Sequence, residues 1–141
     1  MKKQILLLDD DPGVRRMLRR VLENEEYLVR SASTGAEALH IAAEEYIDLV
    51  LLDLNLPGEN GWEVFERLTT ENPTMPVIVI TARSNQIFPA LASGVGALME
   101  KPLDLPKLLL TIAELLAEPV EVRKARAAGR AAEFHYLPPK L

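Results

Sequence analysis

"VLLDLNLPGENGWEV", residues 50–64, runs through three apolar side chains and then sets an acid, Asp53, directly behind them. A short apolar run of this kind reads as a strand buried on both faces. Burying a carboxylate at its end costs several kcal/mol, of order ~3, unless a cation or hydrogen bonds compensate. The cluster Pro57-Gly58-Glu59-Asn60-Gly61 then reads as a loop, with Gly61 a turn residue, and Trp62, Phe65 and Leu68 carry a helix until Asn72-Pro73 ends it. Strand, acid, loop and helix in that order form one unit of an α/β sheet.

Working outward, the same unit recurs. Gln4 to Leu8 is apolar and runs into Asp-Asp-Asp-Pro, which marks a strand end and a helix start. A helix from Pro12 to about Glu25 follows, with Val14, Met17, Leu18, Val21 and Leu22 on its apolar face and Arg15, Arg16, Arg19 and Arg20 on a solvated one. Tyr27 to Ala32 alternates like an edge strand, and Ser33 or Thr34 caps a helix to about Glu45. Ile47 to Leu54 is the third strand and "PVIVIT", residues 76–81, the fourth. Pro89 interrupts "NQIFPALAS", so a short or kinked helix is expected there. Ala97 to Met99 make a fifth strand, and Asp104 caps a helix through Ala117. Five alternations of strand and helix, with three of the strands apolar on both faces, predict a doubly wound α/β protein with a parallel sheet between helix layers. Trp62, Met17 and Met99 are expected in its core.

The 141 residues fit one domain of ordinary size, and no apolar run approaches the ~18 residues a membrane span needs. The absence of cysteine fits a reducing cytoplasm. The net charge of −5 is uneven, because from Pro119 onward Arg123, Lys124, Arg126, Arg130 and Lys140 outnumber Glu121 and Glu133. An acidic body argues against direct binding to DNA, which relies on clustered cations.

In an open parallel sheet the carboxyl ends of the strands share one edge, where ligands bind. That edge collects Asp9-Asp10-Asp11, Asp53, Thr81 and Lys101. Converging carboxylates repel one another, and a hard divalent ion such as Mg²⁺ relieves this with oxygen ligands. Asp10 and Asp53 are the expected direct ligands, with Asp9 acting through water and the Asn55 backbone carbonyl completing the protein's share. Lys101 and Thr81 suit phosphoryl oxygens, since phosphoryl transfer relies on positioning and charge neutralisation. Asp53 is then the nucleophile that forms an acyl phosphate. Asp11 before Pro12 is expected to cap its helix, and Asp53 to be only partly buried.

These motifs, "ILLLDDDP", "LLDLNLPGENG", "VIVITAR" and "MEKP", resemble the receiver domain of two-component response regulators, of the stand-alone, chemotaxis-regulator-like type, over about residues 4–117. The resemblance implies a flavodoxin-like five-stranded sheet of order 2-1-3-4-5 and a cis Lys101-Pro102 bond. It implies that Asp53 accepts phosphate from a histidine kinase or phosphotransfer protein, that Asp9 and Asp10 form the acid pair, and that Thr81 and Lys101 contact the phosphoryl group. Ala82 is small enough to leave room beside it. Such a chain catalyses only its own phosphorylation and dephosphorylation and switches an unknown output partner through the face made by the fourth helix, fifth strand and fifth helix. The family's aromatic switch position is Leu98 here, a departure that bears on that face.

Two other readings compete. A haloacid-dehalogenase-like hydrolase shares an aspartate nucleophile, Thr, Lys and Mg²⁺, but needs a D-x-D motif, and the residue two after Asp53 is Asn. A receiver-like interaction module would need no phosphate. The domain is taken as residues 1–118, with 119–141 a tail that extends a helix from about Val120, with Gly129 its weak point, or stays disordered. That tail is short for a helix-turn-helix output domain, and its "FHYLPP" leaves room for docking or a homodimer.

Overall fold

A computed structural model describes residues 1–83, 85–129 and 134–141. Its elements in chain order are β1 (Gln4–Leu8), α1 (Pro12–Asn24), β2 (Leu28–Ala32), α2 (Gly35–Glu44), β3 (Leu49–Asp53), α3 (Gly61–Glu71), β4 (Val77–Thr81), α4 (Ile87–Ser93), β5 (Ala97–Glu100), α5 (Leu105–Ala117), α6 (Val120–Ala127) and β6 (His135–Leu137). The sheet order is β2-β1-β3-β4-β5-β6, and every neighbouring pair is parallel.

Local chemistry sets the helix starts. The Asp11 carboxylate accepts from the Gly13 and Val14 amides with Pro12 at the first helical position, Thr34 caps α2, Asn60 caps α3 and Asp104 caps α5. Each cap satisfies an otherwise orphaned amide and contributes about 1 kcal/mol. Pro89 sits early in α4, where a proline does least harm, and the helix is only seven residues long.

Alternate residues of each strand feed two separate cores. Leu6, Leu8, Val50, Leu52, Val79 and Leu98 pack against α2, α3 and α4. Ile5, Leu7, Leu51, Ile78, Ile80 and Met99 pack against Leu18 and Leu22 of α1 and Leu108, Ile112 and Leu115 of α5. This is the doubly wound arrangement, and it leaves the carboxyl ends of the strands open as one edge.

Four expectations are corrected. The sheet has six strands rather than five, because the tail folds back and adds β6 beside β5; an exposed strand edge carries unpaired N–H and C=O groups that a nearby extended segment can satisfy. The tail's helix begins at Val120 as expected, but a strand follows it among its described residues where only a helix or disorder was foreseen. Met17 is 38% exposed rather than core, since Leu18 and Leu22 already fill the space under α1. Arg15 and Arg19 are not merely solvated: Arg15 Nη1 donates to the Asp9 carbonyl at 2.6 Å and Arg19 Nη2 to Ser31 Oγ at 2.9 Å. Arginine stems lie along apolar surface while their heads reach partners.

Beyond α5 the chain is fastened before it returns. Arg123 Nη2 donates to the Leu115 and Leu116 carbonyls at 3.0 Å each, closing the end of α5, and Arg126 forms a bidentate pair with Glu118. Gly94 has φ +76°, and a Cβ there would meet the Arg126 carbonyl at 2.9 Å, so glycine is needed where α6 closes on the α4–β5 turn. After β6 come Pro138 and Pro139.

Candidate functional site

Asp53 is the last residue of β3, and the all-apolar strand before it sets its depth: it is 1% exposed, fully rather than partly buried. Its Oδ1 accepts the Asn55 amide at 2.8 Å, and its Oδ2 faces Lys101 Nζ at 3.2 Å. Burial of a carboxylate at this depth is tolerable because both oxygens are engaged, one by a backbone donor and one by a cation.

Asp9, just past β1, is equally deep. Its Oδ1 accepts the Asp11 amide at 2.9 Å, while Oδ2 lies 3.9 Å from Lys101 Nζ and has no hydrogen-bond partner among the described residues. Burial, then the charges of Asp53 and Asp10, push the Asp9 carboxyl up to about 6 against the opposing Asp11 amide and Lys101. Asp10 is exposed, and one carboxylate oxygen from each of Asp9, Asp10 and Asp53 lies within 4.8 Å of the others. A cluster of three carboxylates, one of them with a buried oxygen that lacks a hydrogen-bond partner among the described residues, fits a hard divalent cation, which takes oxygen ligands and tolerates water in the remaining positions.

The opposite wall comes from β4. Thr81 is fully buried, and its hydroxyl donates to Asn55 Oδ1 at 3.3 Å and accepts the Arg83 amide at 3.0 Å. Ala82 is exposed, and its amide donates to the same Asn55 oxygen at 3.0 Å. Beside this wall an open cleft of about 510 Å³ is lined by Asn55, Pro57, Glu59, Trp62, Thr81 and Arg83. A groove of about 600 Å³ between α2 and α3 contains none of the clustered acids and holds no comparable chemistry. Gly61 is more than a turn residue: a Cβ there would lie 2.7 Å from Leu54 Cα and 2.8 Å from its carbonyl, so α3 begins in contact with the β3 loop.

Lys101 follows β5, and its bond to Pro102 is cis, as the resemblance implies. Its amide donates to the Thr81 carbonyl at 2.8 Å, which fixes the start of its side chain against β4. Leu98 is fully buried on β5 in the core that faces α4, abreast of Tyr136 on β6.

Asp9, Asp10, Asp53, Asn55, Thr81, Ala82 and Lys101 therefore converge on one edge, and Leu98 lies inside the sheet away from it. Two contributors were not legible from sequence. The Asn55 side chain, and not only its backbone, joins the β3 loop to β4, and Arg15 holds the Asp9 carbonyl from α1. An asparagine in a loop reads as a turn former, and an arginine on a helix as a solvated charge; neither pattern carries a signal for these reaches.

Comparison with known proteins gives a consistent outcome. A family model described as "Response regulator receiver domain" matches residues 5–113. Sporulation initiation phosphotransferase F of Bacillus subtilis is 34% identical over 110 residues, covering 77% of this chain and 89% of that protein. The transcriptional regulatory protein GlrR of Escherichia coli is 35% identical over 116 residues, 81% of this chain, but the chain spans only 26% of that regulator's length. Among solved structures, a CheY-like response regulator receiver domain protein from Methanospirillum hungatei superposes with a TM-score of 0.77 at 34% identity, covering 82% of this chain and 94% of that one. The response regulator TrrA of Thermotoga maritima, solved in complex with Mg²⁺-BeF, gives 0.74 at 29% identity, covering 80% and 98%.

Proposed function

Because the chain belongs to the response regulator receiver family, we propose that Asp53 is its phosphoacceptor, taking a phosphoryl group from a histidine kinase or phosphotransfer protein. The observation that carries this reading is the fully buried Asp53 carboxylate with Lys101 Nζ 3.2 Å from its Oδ2. In the step itself an Asp53 oxygen bonds to phosphorus as the bond from phosphorus to the donor's imidazole nitrogen breaks, and the imidazole leaves. Asp53 Oδ1 is kept oriented by the Asn55 amide. The Lys101 ammonium lies beside the side on which the transferred oxygens arrive, and the Thr81 hydroxyl and Ala82 amide, which donate to Asn55 Oδ1 in this structure, reach those oxygens by exchanging that partner; donors held this close neutralise the arriving charge.

Asp10, Asp53 and the Asn55 carbonyl are the proposed protein ligands of a Mg²⁺ ion, with Asp9 engaging through water. The ion supplies charge neutralisation for phosphoryl oxygens. The chain turns over no separate substrate and catalyses only its own phosphorylation and dephosphorylation. We take residues 1–118 as the receiver unit and 119–141 as an appended segment. No helix among the described residues is long and apolar enough to cross a membrane, and a cytoplasmic setting is part of the same proposal.

Intact-protein mass after incubation with Mg²⁺ and acetyl phosphate tests the assignment. A labile gain of one phosphoryl group is expected in the natural chain and not in Asp53→Asn or without Mg²⁺. A gain retained by Asp53→Asn would overturn it.

A further inference from the structure

The tail ends where the site begins. β6 runs parallel to β5 in the register Ala97 to His135, Leu98 to Tyr136 and Met99 to Leu137. The His135 amide donates to the Gly96 carbonyl at 3.1 Å at one end, and the Lys140 amide to the Pro102 carbonyl at 2.9 Å at the other. Between them the Tyr136 hydroxyl donates to Glu100, a carboxylate only 5% exposed that the phosphoryl chemistry does not use. Glu100 and Pro102 flank Lys101, so two of the tail's polar anchors attach to the residues on either side of the ammonium that faces Asp53. Leu137, 4% exposed, supplies the apolar anchor among Ala97 and Met99.

We propose that residues 134–140 are a releasable strap over the outer edge of β5, that loading of the Asp53 site loosens it, and that the uncovered edge accepts an extended partner segment as an added strand. The proposal rests on the phosphoacceptor reading above. A change in what Lys101 contacts is transmitted through one peptide bond each way to Glu100 and Pro102. The strap is a discrete element that is either seated or not, which turns a small displacement into a change of surface. At the far end, α6 stays fastened by the Arg126–Glu118 pair and its close approach to Gly94, so the strap is released from the site end while the chain remains tethered. The uncovered edge offers main-chain donors and acceptors in a row, with the Leu137 seat as a pocket; this is the chemistry that recognises an extended segment carrying an aliphatic anchor.

The test uses the full chain with Mg²⁺ and beryllofluoride as the phosphoryl mimic. Fluorine NMR reports loading, and amide exchange reports the strap. On loading, the amides of His135, Leu137 and Lys140 are expected to exchange at least tenfold faster while β1 and β3 amides do not change. A labelled peptide of residues 134–141 is expected to bind the loaded chain at least tenfold more tightly than the unloaded one. Tyr136→Phe, which keeps the ring, is expected to speed strap exchange without loading. Bound fluoride with unchanged strap exchange overturns the inference and leaves the phosphoacceptor reading intact. Absence of bound fluoride overturns both. Strap opening without peptide binding, or with formation of a tail-exchanged dimer, overturns the partner assignment.

Discussion

Lys101 reaches Asp53 across an intervening strand: β4 lies between β3 and β5, yet Nζ stands 3.2 Å from Asp53 Oδ2 and 3.9 Å from Asp9 Oδ2. One ammonium thus serves two carboxylates that are almost wholly withdrawn from water. Removing it leaves uncompensated buried negative charge, which has opposite effects on cation binding and on phosphoryl uptake.

Lys101→Met is therefore expected to bind Mg²⁺ about threefold more tightly, because a competing cation is gone. Phosphoryl uptake from acetyl phosphate slows at least tenfold in the same variant, a loss of about 1.4 kcal/mol of stabilisation of the transferred oxygens. Mg²⁺ titration followed by Trp62 fluorescence, beside timed intact-mass measurements, checks both directions. Equal weakening of both would contradict the charge argument.

The raised Asp9 carboxyl predicts a pH dependence. In metal-free protein between about pH 4 and pH 6 the folded state holds a proton on Asp9 that the unfolded chain has lost. Stability from this group therefore falls as pH rises through that window, by on the order of 3 kcal/mol. Thermal melts of the natural chain and Asp9→Asn across pH 4–7 isolate it, with the downward trend weaker or absent in the variant. Mg²⁺ stabilises the ionised carboxylate, so its addition is expected to raise Tm well above pH 6 and little below about pH 4.

Asn55 Oδ1 accepts from both the Thr81 hydroxyl and the Ala82 amide. Asn55→Ala frees both donors and is expected to cost about 1 kcal/mol in urea unfolding. Faster exchange of the Ala82 amide, with the β1 amides unchanged, is the accompanying signature.

Leu137 tests whether the tail belongs to the core. At 4% exposure, Leu137→Ala is expected to destabilise by on the order of 2 kcal/mol, measured by urea unfolding of the whole chain. A change under about 0.5 kcal/mol, the scale of an ordinary surface substitution, would show that β6 contributes nothing to the fold.

The sheet and the edge that gathers the acids were legible because they rest on local chemistry. Apolar runs at residues 4–8, 47–54 and 76–81 read as buried strands and form as 4–8, 49–53 and 77–81, while Asp11, Ser33 or Thr34, and Asp104 announce helix starts within a few residues of themselves. Once the strands are parallel, their carboxyl ends must share an edge, so Asp9, Asp53, Thr81 and Lys101 could be grouped without knowing a single distance. What stayed hidden depends on surfaces that exist only after folding. His135–Leu137 is too short to read as a strand, and it becomes one because β5 presents an edge. Lys101 was expected beside Asp53, but the depth of Asp53 was underestimated because full burial also depends on its other oxygen accepting the Asn55 amide, a loop geometry that exists only after folding. Arg15 and Asn55 find partners across element boundaries that no periodicity records.

The two prolines after β6 give the sheet a direction of growth. Pro138 and Pro139 have no amide hydrogen, so a strand approaching past Leu137 finds no donors to extend the ladder. At the opposite rim, β2 ends the sheet with Leu28 and Arg30 exposed. While β6 is seated, the rim it forms is only three residues long and is closed by the prolines, which leaves little edge to pair. At β2 a charged arginine makes the next strand an unfavourable neighbour, so both rims resist edge-to-edge association.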